Sequence, residues 1–258
     1  MAGSFDLFVA TRFNTAPRLL WGHSIQPLIS DIDFILDETA KQLLLKVGSS
    51  FDDYLELDTP CREAIKLCCE LLVGLDQFQR RSATSPSLSA LVKARNAVQH
   101  EVLCLQSFNL SIQSTDDRTS DLCRISLLLF SCMVFFPIPQ PTGVHLRLVT
   151  QLRHAIDGAG AAVWNSRRNL LAWIQVLGGI GASATAHRSW YVNTFAENAL
   201  RHFDSWDDLK RILETHLWWD YMFDEASERF WHEAQHAAGS SLRSHFPTAD
   251  PSTGYGRQ

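Results

Sequence analysis

Two stretches of the chain carry residue types at spacings that could do chemistry. His232-Glu233-Ala-Gln-His236 sets two imidazoles one helical turn apart with a carboxylate between them. In the zinc-protease pattern the imidazoles bind the metal and the glutamate polarises a water. Gly239 stands where a metzincin glycine would, yet the third ligand of that pattern falls on Leu242. His245 and Asp250 remain as candidates, in a tail rich in Ser, Gly and Pro. The helix carrying the motif buries Phe223, Ala226, Phe230, Ala234 and Ala237, which puts His232 and His236 on the opposite face with Glu225 and Arg229. The spacing predicts a solvated face, with no metal ligands and no catalytic residues. A zinc-dependent hydrolase using His232, Glu233 and His236 is the alternative reading.

Asp52-Asp53-Tyr54-Leu55-Glu56 resembles the aspartate-rich magnesium motif of all-helical terpene synthases. It lies between Gly48 and Pro60, and no second metal motif accompanies it, so it reads as a polar linker. Gly178-Gly179-Ile180-Gly181-Ala182 has the composition of a phosphate loop, but such loops follow a strand and this one follows a helix. Close core packing is the expectation there. His100, His145, His154 and His187 have no ligand partner at helical spacing, and Asp207 and Asp208 suit a helix N-terminus.

The stretch that must position everything else is Asn169 to Ala182. Leu170, Ile174 and Leu177 form one line on a helix, and Leu171, Trp173, Val176 and Ile180 widen it far beyond the ~100° stripe of a surface helix. Arg168, Ala172, Gln175 and Gly179 are left for a thin wet edge. Around this helix the apolar periods predict others. One begins at Ser30 and stops at Gly48, one runs from Thr59-Pro60 to about Arg80, and one from Leu88 to Leu105. Further helices follow over Asp121 to Phe136, from Val144 to before Gly158, over Ser189 to His202, from the Ser205 cap through Leu217, and from about Asp224 to Ala238. Phe108, Leu110 and Ile112 alternate but have no partner strand, so they read as an extended loop.

The composition is that of an ordinary globular chain, with 46% hydrophobic and 20% charged residues. A net charge of −5 carries no electrostatic footprint for nucleic acid. The six cysteines form no Cys-x2-Cys pair and sit in apolar helical patterns, as buried free thiols do in a reducing compartment. The most apolar window, Ile125 to Ile138, is shorter than the ~20 residues that span a bilayer, and Met1 to Ala10 lacks the pattern of a signal peptide. The expectation is a soluble intracellular protein without membrane association.

Four stretches are similar to the C-terminal regulatory region of fungal-specific transcription factors, the proteins that carry a binuclear zinc cluster at the N-terminus. They are Asp121-Leu-Cys-Arg-Ile-Ser-Leu-Leu-Leu-Phe130, Leu170-Leu-Ala-Trp-Ile-Gln-Val-Leu-Gly-Gly179, Arg188-Ser-Trp-Tyr191 and Ser205-Trp-Asp-Asp-Leu-Lys-Arg-Ile-Leu213. The likeness continues into Leu217-Trp-Trp-Asp220 and Phe230-Trp231, and every tryptophan but Trp21 lies between Trp164 and Trp231. The Cys-x2-Cys pairs of the zinc cluster are missing. The resemblance implies a nuclear regulatory module of transcription, not an enzyme, with no cofactor and no DNA reader of its own. It would act through protein partners of the transcription machinery, related factors or a small effector. The expected architecture is all-α, one compact domain of about eight or nine helices over residues 28–238. A docking tail or loop over 1–27 precedes it, and a disordered tail over 239–258 follows.

Overall fold

Short polar side chains open several helices of this chain. Asp37, Asp58, Ser87 and Ser205 each accept a hydrogen bond from the backbone N–H three residues on. The computed structural model describes residues 2–13, 15, 17, 32–54, 57–105, 115–139, 142–159, 164 and 167–244. The described residues are 77% helix and contain ten α-helices and no strand. They are α1 (Ala2–Phe13), α2 (Glu38–Lys46), α3 (Thr59–Gln79), α4 (Leu88–Cys104), α5 (Thr115–Met133), α6 (Val144–Ala159), α7 (Arg168–Gly181), α8 (Arg188–Asn198), α9 (Trp206–Leu213) and α10 (Asp220–Ser244). Short 3-10 turns lie at Ser49–Asp53 and Leu200–His202.

Several boundaries depart from the sequence reading: α5 runs from Thr115 to Met133 rather than from Asp121 to Phe136, α9 ends at Leu213 rather than Leu217, and three other departures have visible partners. Ser30 lies outside the described residues, residues 32–37 are not helical, and α2 starts at Glu38 under the Asp37 cap. The Ile32 N–H donates to Glu70 Oε2 at 3.2 Å and the Ile35 carbonyl accepts from Gln77 Nε2 at 3.0 Å. With its backbone satisfied by α3 in this way, the segment has no need of helical bonds. The second departure is α1, an additional helix in the segment read as a docking tail. Its place depends on tertiary bonds rather than on a legible apolar stripe. Thr11 Oγ1 accepts from Gln99 Nε2 at 2.7 Å, and the Arg147 guanidinium donates to the Thr11 and Arg12 carbonyls. Third, α10 runs through Gly239 to Ser244, into the span read as a tail. Leu19-Leu20-Trp21, the Phe108–Ile112 run and residues 245–258 lie outside the described residues.

The helices form two groups joined by α5 and by the contact of α1 with α6. On one side α3 packs on α2 and α4, while α1 packs on α4 and α6. On the other, α7 is packed against α5, α6, α8, α9 and α10. The expected wet edge of α7 is absent at Ala172, Gln175 and Gly179, which are buried with most of the apolar positions; Arg168 and Asn169 are exposed and Ile180 is half-buried. Its small residues sit under aromatic rings. A Cβ on Gly178 would lie 2.3 Å from Tyr191 Cε1, and one on Gly179 would lie 2.3 Å from Phe230 Cε2. Rings from α8 and α10 thus fill the space above the two glycines.

The two groups are also tied by a buried aromatic cluster. The Trp173 indole stacks on His216 with centroids 5.7 Å apart, and Phe51 meets both edge-on, at 5.4 Å from Trp173 and 5.2 Å from His216. His216 Nδ1–H donates to the Ile212 carbonyl at 2.9 Å, and Nε2 accepts from the Tyr54 hydroxyl at 3.3 Å. That bonding fits the neutral imidazole, and burial pushes the His216 pKa down to about 4.

Both observations lead to measurable expectations. Gly179→Ala should lower the unfolding free energy by about 1–3 kcal/mol through overpacking. Gly239→Ala, where an added Cβ has nothing within 4 Å, should leave it unchanged or raise it. Equal melting temperatures for the two variants would contradict the packing. For His216 the folded pKa lies below the unfolded value, so its contribution is complete above pH 6.5 and is lost as pH falls toward about 4. The loss is roughly 3 kcal/mol. Urea unfolding at several pH values should show a steeper acid decline in the native chain than in His216→Phe. The difference between the two profiles isolates this residue, because the other histidines titrate in both.

Candidate functional site

Arg168, Leu171 and Gln175 recur at helical spacing on one face of α7 and line a cavity of about 320 Å³. Ile156 and Asp157 from the end of α6 form a second wall. Thr194, Asn198 and the turn carrying Arg201 and His202 close the third. The inner surface is apolar and buried, from Ile156, Leu171 and Ala199. Gln175 is wholly buried beside them, and neither its Nε2 nor its Oε1 has a hydrogen-bond partner among the described residues.

The mouth of the cavity is cationic. Arg168, Arg201 and His202 are exposed and have no carboxylate partner among the described residues. Partial burial first, and then the Arg168 and Arg201 guanidiniums, hold the His202 imidazole below its ordinary pKa. Asp157 is the carboxylate of the lining, with the Arg153 guanidinium 3.8 Å away. Arg167, at the N-cap of α7, makes no side-chain capping bond, so this helix end adds its own positive potential. The arrangement offers recognition chemistry: an amide with donor and acceptor at the floor, an apolar middle and cations at the mouth.

The sequence reading placed Gln175 on a wet edge and so missed this site. The available signal was one polar residue inside the apolar run from Leu170 to Leu177. Surfaces of helices α6 and α8 complete the cavity, and no local pattern announces their meeting.

The His232-Glu233-x-x-His236 motif lies on α10 with all three side chains exposed. Both Glu233 oxygens are held by Arg188, at 2.9 Å from Nε and 2.9 Å from Nη2. Arg188 also donates to the Gly179 carbonyl at 2.6 Å and lies 4.9 Å above the Phe230 ring. The carboxylate that would polarise a water is therefore committed to joining α8 and α10. His232 Nδ1 is 3.2 Å from Gln235 Oε1, its neighbour along the helix. These residues line a wide open groove of about 800 Å³ with Thr185, Ser189 and Asn193.

Asp52 and Asp53 sit exposed on the 3-10 turn, while Leu55 and Glu56 lie outside the described residues. Among the described residues no group of three or more His, Cys, Asp or Glu side chains is placed to hold a metal ion. No helix among them is long and apolar enough to cross a membrane. All six cysteines are free thiols. Burial pushes the Cys61, Cys69 and Cys132 thiols up to about 12, far from the thiolate that nucleophilic chemistry needs.

If Glu233 serves packing, Glu233→Gln should lower stability by up to about 1 kcal/mol, the range of a half-exposed ion pair. Calorimetric titration with zinc should then give the same weak binding for the native chain and His232→Ala. A tight stoichiometric site lost in His232→Ala would restore the hydrolase reading.

Compared with protein-family models, curated proteins and solved structures, the chain matches none.

Proposed function

We propose that the chain is a helical regulatory module of transcription, acting in the nucleus and brought to DNA by another protein. One observation carries this reading: the four stretches that resemble the regulatory region of fungal-specific transcription factors belong to one packed unit. They fall on α5, α7, α8 and α9, and α5, α8 and α9 each pack directly on α7. Likeness scattered from Asp121 to Leu213 is thus gathered around a single helix. The net charge of −5 and the missing Cys-x2-Cys pairs support a role through protein contacts or a small effector rather than through direct DNA reading. The zinc-hydrolase alternative draws less support, since Arg188 occupies its carboxylate.

The test uses the full chain, because α1 packs on α4 and α6. Fused to an unrelated DNA-binding domain in a fungal host, it should activate or repress a reporter. Trp173→Asp, which buries a charge in the core, should abolish that effect, and His232→Ala on the surface should retain it. A folded, nuclear fusion that leaves the reporter unchanged under varied growth conditions would overturn the proposal. Hydrolysis of a peptide or ester, lost in His232→Ala, would replace it with the enzyme reading.

A further inference from the structure

We propose that the cavity between α6, α7 and the end of α8 binds a small elongated organic anion that carries a neutral amide-like group at its far end. Gln175 sets the requirement at the floor. Its amide lies wholly buried in the inner wall, so a ligand meets it only as that wall yields, and nothing among the described residues answers its donor or its acceptor. An unanswered buried amide destabilises the fold, and a group offering one acceptor and one donor would recover that loss. A carboxamide is such a group. A charge at that depth would be penalised by the apolar walls, so the floor calls for a neutral partner.

The mouth sets the opposite requirement. Arg168, Arg201 and His202 gather there with the N-terminus of α7, and Asp157 is already faced by Arg153. An anion at the mouth gains from the two guanidiniums, from an N–H of the neutral His202 ring and from the helix end. Arg168 and Gln175 lie two turns apart on α7, roughly 10 Å along its axis. Between them Leu171, Ile156 and Ala199 offer apolar contact. The ligand is therefore a rod: anionic at one end, apolar in the middle, hydrogen-bonding at the other. A volume of about 320 Å³ suits a molecule the size of a substituted benzoate.

This deepens the regulatory reading by giving the effector a chemistry, yet it is tested on the purified chain, so either can fail without the other. Three probes separate its terms in calorimetric titrations. 4-Carbamoylbenzoate has both ends, benzoate lacks the amide, and methyl 4-carbamoylbenzoate lacks the charge. The first should bind saturably with one equivalent, and each of the others about tenfold more weakly. Gln175→Met should cut affinity for 4-carbamoylbenzoate to that of benzoate and leave benzoate binding unchanged. Arg201→Gln should weaken both acids and spare the ester. Circular dichroism checks that the variants fold. Should Gln175→Met unfold, the three probes on the native chain and the exposed Arg201→Gln still decide. No saturable binding at millimolar concentration, equal affinity for all three probes, or a folded Gln175→Met with undiminished affinity for 4-carbamoylbenzoate would overturn the assignment.

Discussion

A helix with no free face dominates this fold. α7 carries apolar side chains nearly all round, so nearly every side must be covered by apolar surface. It obtains that cover from α5, α6, α8, α9 and α10. A single cylinder can hold so many neighbours only if some of them approach closely. Gly178 and Gly179 create the room, and the Tyr191 and Phe230 rings occupy it. The same constraint fixes the polar ends of the aromatic residues. The Tyr191 hydroxyl donates to the Val149 carbonyl at 2.8 Å, and Trp173 Nε1–H donates to the Leu217 carbonyl at 3.0 Å. Each of these bonds uses a carbonyl to set a ring in place, so the packing is specific as well as dense.

Trp173 extends this constraint to the other half of the molecule. Its indole, His216 and Phe51 form one buried cluster, and Phe51 lies on the turn after α2. The backbone reinforces the join. Gly48 N–H donates to the His216 carbonyl at 3.1 Å and Ser50 N–H to the Thr215 carbonyl at 3.0 Å. Gly48 can take part because its φ of +81° suits a residue without a Cβ, and Cys69 Sγ lies 2.6 Å from where that atom would be. The connection between α9 and α10 therefore docks against the start of the chain's first large group. A neutral His216 is part of that joint, which is why its protonation is a matter of stability.

Local chemistry was legible in the sequence, and long-range chemistry was not. Ser205 capping Asp208 N–H is written within four residues, and the glycines after an apolar run announce close packing. The all-α class follows from apolar periods alone. By contrast, Ser30 and Asp37 are equally good caps by type. The choice of Asp37 rests on contacts with α3, including Arg80 at 3.2 Å and 3.3 Å. α1 has little stripe to read, and Gln99 and Arg147 hold it from afar through Thr11. Glu233 is claimed by Arg188 across two helices, which no motif on α10 can record. Gln175 looked solvated because it was the one polar residue inside the apolar run from Leu170 to Leu177, but at that depth the neighbouring helices leave no solvated side.

Two buried glutamines show what sets Gln175 apart. Gln99 is also fully buried, and its amide is spent on structure: Nε2 donates to Thr11, and Oε1 accepts from Ser131, tying α1 and α5 to α4. Gln175 ties nothing among the described residues. For packing alone, a leucine or methionine would fill the same space without the penalty of an unanswered amide. A polar group that weakens the fold where it stands is better understood through what it can meet in the adjoining cavity. That cavity has α7 for its floor. A ligand resting on Leu171 and Gln175 touches the one helix on which α5, α6, α8, α9 and α10 all pack. Its binding free energy would therefore add to the stability of the whole helical body, and any state in which α7 is repacked would lose the ligand.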